Sequence, residues 1–344
     1  KMNKIIAMAL VLMLSASFSF SSAFSASEKP AEKKAVKLKV LLLPFLEFAP
    51  LYVAQEEGYF ADYGLEVELV TMTTSTQAIP SLLQGELDVI CSAVRPGLFN
   101  AMVRSGQIKI TAGMFYTPSA GCSSTAIAVK KNWLENHKRG GQEKSEKRIQ
   151  VGTVLQTTSH YYVEKALNSA GYSSDVLEIR NLPAPVRFEA FMKGTVDIAS
   201  IAEPWLSRAL QNPDVTVWLP APEIVPNMEN GVLVYGERLL RREAETGNFF
   251  MVAYLRAARL LNQGKTPRNI ELLAKFTKLD QDLLNKACLP VFHDDGKINT
   301  DRLAEYQKWL LKNKWVDRVL TPEEYWDDRF VIHADQLLES SSHQ

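Results

Sequence analysis

From Val36 the chain alternates apolar and charged positions (Val36-Lys37-Leu38-Lys39-Val40) and then runs apolar through Leu43. That is the pattern of a strand entering a buried sheet, and Pro44 stops it. Residues 49–57 read as a helix, with Pro50 in the first turn and Gly58 at the end. Residues 65–70 alternate apolar positions with Glu66 and Glu68, as a half-buried strand does. Helices are predicted at 78–83, where residues 73–77 supply a cap, and at 96–105. Strands are predicted at 87–91 and 108–115. Strand and helix at such short spacing indicate an α/β unit with a largely parallel sheet.

A second unit of the same kind follows. Residues 125–130 are strand-like, and the charged run 131–148 reads as a solvated helix and loop. Strands are predicted at 149–154, 176–181 and 196–201, with helices at 160–170, 186–193 and 204–210. Residues 215–219 and 231–235 are strand-like, and from Arg238 the pattern is mostly helical to about Trp315. The units echo each other. Gly85-Glu86-Leu87-Asp88-Val89-Ile90 has its counterpart in Gly194-Thr195-Val196-Asp197-Ile198, and the two glycines lie 109 residues apart. That offset is too long for a solenoid repeat and suits two similar lobes.

The N-terminus is different in kind. A short basic start is followed by ten apolar residues, Ile5 to Leu14, and a Ser/Ala/Phe stretch through Ala26. This is the layout of a secretory signal, too short to span a bilayer. Cleavage is expected after Ala23, Ser25 or Ala26, followed by a loose polar leader over 27–36. An exported, periplasmic protein is the expectation. The 344 residues carry 39 basic and 39 acidic side chains. Without residues 1–26 the balance is 37 against 39, or −2, because Lys1 and Lys4 leave and no acid does. No strongly basic nucleic-acid binder has this balance. With 46% apolar and 23% charged residues the composition is that of a globular protein.

Three cysteines, Cys91, Cys122 and Cys288, are too few for a disulfide scaffold and leave at least one thiol unpaired. A Cys91–Cys122 bridge or buried thiols are both compatible with the spacing. GxGxxG, a Walker loop, HExxH and GxSxG are all absent, so nucleotide, metal-hydrolase and serine-hydrolase chemistry have no signal.

The stretch Ala49-Pro50-Leu51-Tyr52-Val53-Ala54, then Gly58-Tyr59-Phe60 and Gly64-Leu65-Glu66-Val67-Glu68-Leu69-Val70, resembles the opening of a family of periplasmic solute-binding proteins of ABC transporters. These are the sulfonate/taurine/nitrate and thiamine-pyrimidine-precursor binders. Leu82 to Asp88, Val151-Gly152 to His160, Phe191 to Pro204, and Asp327-Asp328-Arg329-Phe330 resemble later motifs of that family in the same order. The resemblance implies a type II periplasmic binding protein fold: two α/β lobes, a ligand cleft and two crossovers. Lobe I would comprise 37–124 and 241–335, lobe II 125–240, with a tail at 336–344. It further implies capture of a small anionic or planar organic nutrient, hinge closure, and delivery to an ABC permease by a monomer without cofactor, metal or catalysis. The alternatives are an enzyme resembling the pyrimidine-precursor synthases of this fold, whose cysteine-rich iron-binding run is missing here, and a ligand-sensing input module.

Ligands of open α/β sheets bind beyond the carboxyl ends of strands, at helix N-termini. Four loops qualify. Phe48 and Tyr52 follow the first strand and either stack on a ligand or pack their helix. Thr73 and Thr76 offer hydroxyls or simple caps. Ser92 precedes Arg95, a cation at a helix N-terminus that calls for an anionic partner. Thr157, Thr158, Ser159 and His160 open a helix of lobe II. Glu203 is placed to accept hydrogen bonds from an amine or to pair with Arg95; the residue before it, often aromatic in the family, is Ala202. Tyr116 and Phe115 near the first crossover, and Asn227 with Glu229 on the return, complete the candidates.

Overall fold

The computed structural model describes residues 35–43, 45–72, 75–138 and 148–341. The expected signal and most of the leader, Thr73, the side chain of Thr76, and residues 139–147 of the charged run lie outside the described residues.

Eleven strands form two mixed sheets among the described residues. The first contains β1 (Val36–Leu42), β2 (Leu65–Thr71), β3 (Val89–Ala93), β4 (Lys109–Tyr116), β10 (Glu229–Tyr235) and β11 (Val291–Phe292), in the order β11-β4-β10-β3-β1-β2. The second contains β5 (Thr125–Lys130), β6 (Ile149–Thr153), β7 (Leu177–Asn181), β8 (Ile198–Ala202) and β9 (Val215–Pro220), in the order β7-β6-β8-β5-β9. The alternation of strand and helix follows the sequence pattern, but the sheets are less parallel than expected. β1 runs parallel to β2 and β3, and β6 to β7 and β8. β10 and β5 are antiparallel to both of their neighbours. Each of these strands enters its sheet straight from the other sheet, without the returning helix that would make it parallel.

The repeated glycine–aspartate motif has a structural purpose. Gly85 and Gly194 both take φ of 74°, the left-handed conformation in which a helix end turns back most easily. Three residues on, Asp88 accepts the Lys39 amide at 2.8 Å while its own amide donates to the Lys39 carbonyl. Asp197 does the same with Gln150, at 2.8 Å in both directions. Each aspartate thus fastens the segment leading into a central strand to the parallel strand beside it. Arg238 closes on Asp88 at 3.2 Å in the first lobe.

The chain passes between the sheets twice, over residues 117–124 and 221–228, so β10 joins the first sheet and the return falls earlier than the expected lobe II bound of 240. A closed ring of hydrogen bonds joins the first passage to β10 and to the second-lobe helix Thr158–Ser169. The Asn230 amide donates to Thr117 Oγ1 at 2.9 Å, and Tyr162 Oη donates to Asn230 Oδ1 at 2.8 Å. The 2.6 Å contact between Thr117 Oγ1 and Tyr162 Oη then takes its proton from the threonine. The phenol is buried, and burial raises its pKa, so it remains a donor. Such a ring polarises each of its members in the same sense. Helical structure continues past Trp315 to the helix Arg329–Ser341, which packs on the long buried helix Ala244–Asn262.

The cysteine pairing corrects the sequence-based alternatives. Cys122, at the first passage, is bonded to Cys288, 166 residues later, and Cys91 is a buried free thiol in β3. Cys91 lies in the centre of the first sheet, out of reach of the crossover. Closing so long a loop removes unfolded-state entropy, typically worth about 2–4 kcal/mol. Denaturing, non-reducing thiol titration should therefore find Cys91 alone, and Cys122→Ser/Cys288→Ser should lower unfolding stability by about that amount; two or three titratable thiols would contradict the assignment.

Candidate functional site

A cavity of about 580 Å³ lies between the two sheets. It is the size of an ordinary small-molecule site. The first lobe contributes Leu43, Phe45, Glu47 and Phe48 from the segment after β1, Ser92, Ala93 and Arg95 from the end of β3, and Phe115 from β4. The second lobe contributes Thr157, Thr158 and Ser159 after β6, Asn181, Pro183, Ala184, Pro185 and Arg187 at and after the end of β7, and Ala202, Glu203 and Trp205 at and after the end of β8. All three second-lobe segments follow carboxyl ends of parallel strands, as the geometry of open sheets requires. Tyr162 and Asn230, two members of the crossover ring, form part of the wall.

Thr158 to Ser169 is a 12-residue helix with Thr157 extended at its N-cap. The Thr157 hydroxyl donates to the Val154 carbonyl at 2.7 Å instead of capping, while the Thr157 carbonyl accepts from His160 and Tyr161. The Thr158 and Ser159 amides therefore head the helix at the cavity, where a helix N-terminus favours an anion. Phe115 can turn inward because position 231 is glycine: a Cβ on Gly231 would lie 2.3 Å from the ring. Apolar walls from Phe45, Phe48, Phe115 and Trp205 give the cavity a largely hydrophobic lining with a few polar groups.

Of the residues singled out from sequence, the structure brings together Phe48, Ser92, Arg95, Phe115, Thr157, Thr158, Ser159 and Glu203 at this cavity. Five others are placed elsewhere. Glu229 meets His293 Nε2 at 2.8 Å and accepts from the Asn299 amide at 2.7 Å. Tyr52 stacks on Phe276 with ring centroids 4.8 Å apart, on the helix side away from the cleft. Tyr116 tilts against His293 at 4.4 Å, since its neighbour Phe115 takes the inward position of the strand. His160 is wedged between Trp309 and Trp315, at 5.3 and 5.6 Å, and burial lowers its pKa. Asn227 adopts φ of 56° in the return passage and serves a backbone turn, its amide donating to Thr117. Glu203 lines the cavity, but its carboxylate already accepts from the Ser207 amide at 3.0 Å, the Ser207 hydroxyl at 2.9 Å and the Cys288 amide at 3.1 Å. It holds the start of the following helix against the disulfide segment.

Two charged residues escaped the sequence reading. Arg187 is 5% exposed in the helix Ala184–Met192. Among the described residues its one hydrogen bond runs from Nη1 to the Leu182 carbonyl at 3.1 Å, with no acid in salt-bridge reach. Burial pulls its pKa down to about 10, so it stays charged at neutral pH. Arg95 is likewise lowered by desolvation. Glu47, in the 3-10 turn Leu46–Phe48, is the second. Desolvation in the cleft, reinforced by the charge of Glu203, pushes its carboxyl up to about 7. The rule that selected the other loops would have found Arg187, because it heads the helix after β7, and Glu47 is the lone acid in an apolar run after β1.

The match of fold is broad. Solved structures with this architecture include a ligand-binding component of an ABC-type import system from Staphylococcus aureus (TM-score 0.71, 14% identity, 88% of this chain and 99% of that one). They also include the periplasmic aliphatic sulphonate binding protein SsuA from Escherichia coli (0.65, 16%, 87% and 93%). A third is the periplasmic nitrate-binding protein NrtA from Synechocystis PCC 6803 (0.65, 12%, 89% and 90%). The fold is thus that of periplasmic binding proteins, as the sequence motifs implied. The model of the NMT1-like family matches residues 29–277, and the chain belongs to that family. No functionally curated protein matches the sequence.

The raised Glu47 pKa has a consequence for stability. A carboxyl whose folded pKa lies above its unfolded value contributes stability below about 4.5, which is lost as pH rises through about 7. Glu47→Gln should therefore match wild type near pH 4 and exceed it above pH 7, by on the order of 2 kcal/mol once solvent access to the cleft is allowed for. Denaturant unfolding at pH 4, 6 and 8 checks this; a constant difference across the three would contradict the shift.

Proposed function

We propose that the chain is the solute-binding component of an ABC importer, working in the periplasm and capturing a small organic anion with an apolar or planar body. The observation that carries this reading is Arg187: a guanidinium almost wholly removed from water, lining the cavity, with no carboxylate paired to it among the described residues. A buried cation without a protein anion is costly, and an anionic ligand offsets that cost. Arg95 and the helix amides at Thr158 and Ser159 converge on the same cavity and extend the anion-binding surface.

The other candidates take supporting roles. Ser159 supplies a neutral donor, while the hydroxyls of Ser92 and Thr157 already donate to the carbonyls of Ala93 and Val154; Phe48, Phe115 and Trp205 enclose the body of the ligand. Closure about the two passages between the sheets would bring Arg95 and Arg187 onto one ligand and present the closed form to a permease. A charge-assisted pair of this kind is commonly worth about 1.5–3 kcal/mol.

Thermal-shift and calorimetric titration with benzenesulfonate, ethanesulfonate and benzoate, against benzylamine as a cationic control, tests the reading. The anions should stabilise the protein and the amine should not. Arg187→Met should weaken anion binding at least tenfold while remaining folded, since it replaces a buried charge by an apolar chain of similar length. Stabilisation by the amine alone, or anion binding indifferent to Arg187→Met, would overturn it.

A further inference from the structure

An anion-binding cleft has no obvious use for two carboxylates, yet Glu47 and Glu203 both line this one. Their environments differ. Glu203 accepts from three donors. Glu47 receives no hydrogen bond from another residue among those described; its own backbone amide serves it. The charged groups around the cavity are Arg95 from the end of β3, Arg187 from the helix after β7, and Glu203 from the end of β8. Of these, Glu203 is the charge that acts on Glu47. Glu47 therefore faces a like charge in a partly desolvated space, and both effects favour its neutral form. A neutral carboxylic acid is a hydrogen-bond donor, which is what an anion's oxygen needs.

We propose that Glu47 meets the ligand as a neutral acid and donates a hydrogen bond to an oxygen of the bound anion, so that capture above neutral pH takes up one proton from solvent. The proposal rests on the anion reading of the cleft and adds a specificity residue to it. With Glu47 neutral, the cavity holds two guanidinium charges against the single carboxylate of Glu203; with Glu47 ionised, the charges cancel. Anion capture and protonation of Glu47 thus assist each other by linkage.

The test is calorimetric titration of wild type, Glu47→Gln and Glu47→Ala with benzenesulfonate, ethanesulfonate and benzoate between pH 6 and 9, in phosphate and in Tris. Wild-type Kd should rise above neutral pH with a limiting slope of about tenfold per pH unit. The difference between buffers should report uptake approaching one proton at pH 8. Glu47→Gln should bind more tightly than wild type at pH 9 with a Kd that no longer moves with pH. Glu47→Ala should be equally flat and weaker than Glu47→Gln. A flat wild-type profile with no proton uptake, or a slope that survives in Glu47→Gln, overturns the proposal and leaves the anion reading standing. Failure of wild type to bind any of the three anions at pH 6 overturns the anion reading, and the proposal with it.

Discussion

The ring of Thr117, Tyr162 and Asn230 fixes where the two sheets can meet. Thr117 lies on the outward passage of the chain, Asn230 begins the strand that returns, and Tyr162 belongs to the second-lobe helix whose N-terminus faces the cavity. Any movement of one lobe against the other must keep or break these three hydrogen bonds. Because Tyr162 and Asn230 also form cavity wall, the same contacts that join the lobes shape the site between them. Two further ties come from the C-terminal helices. Tyr306 Oη reaches the carbonyls of Val94 and Gln156, at 3.1 and 3.3 Å, one from each lobe. Trp309 donates to Glu164 at 2.9 Å.

Within that frame the cleft is an arrangement of charges in a partly desolvated space. Removing Arg187 and Arg95 from water costs energy that the ordinary surface arginine does not incur. Gly152 helps to make the burial of Arg187 possible, since a Cβ there would press on the arginine side chain at 3.2 Å. The aromatic walls lower the local dielectric and strengthen whatever pairing an anion makes with those guanidinium groups. Net charge near zero for the chain as a whole is consistent with selectivity arising from these few local groups.

Much of the architecture was legible in the sequence because it rests on local signals. Buried central strands such as β3 and β8 read as apolar runs, and the glycine–aspartate motif repeats because each lobe needs the same tie between neighbouring strands. The site was half legible for the same reason: helix N-termini after strands can be counted without a structure. What could not be read was set by distant partners. Tyr52 and His160 look like ligand contacts until Phe276, Trp309 and Trp315 arrive from the C-terminal helices and claim their rings. Cys122 finds Cys288 across 166 residues, a pairing that no spacing rule suggests. The helix-start rule reaches Arg187 in Ala184-Pro185-Val186-Arg187-Phe188, but only the tertiary structure shows that it is buried and, among the described residues, unpaired by any acid.

The central claim is that the space between the sheets is an anion site organised by a buried arginine. A crystal structure of the protein grown with saturating benzenesulfonate tests it most directly. The account predicts a sulfonate within hydrogen-bond distance of the Arg187 guanidinium, with its ring against Phe115 or Trp205. Benzenesulfonate bound elsewhere on the protein, or seated in the cleft with its sulfonate turned away from Arg187, would contradict it.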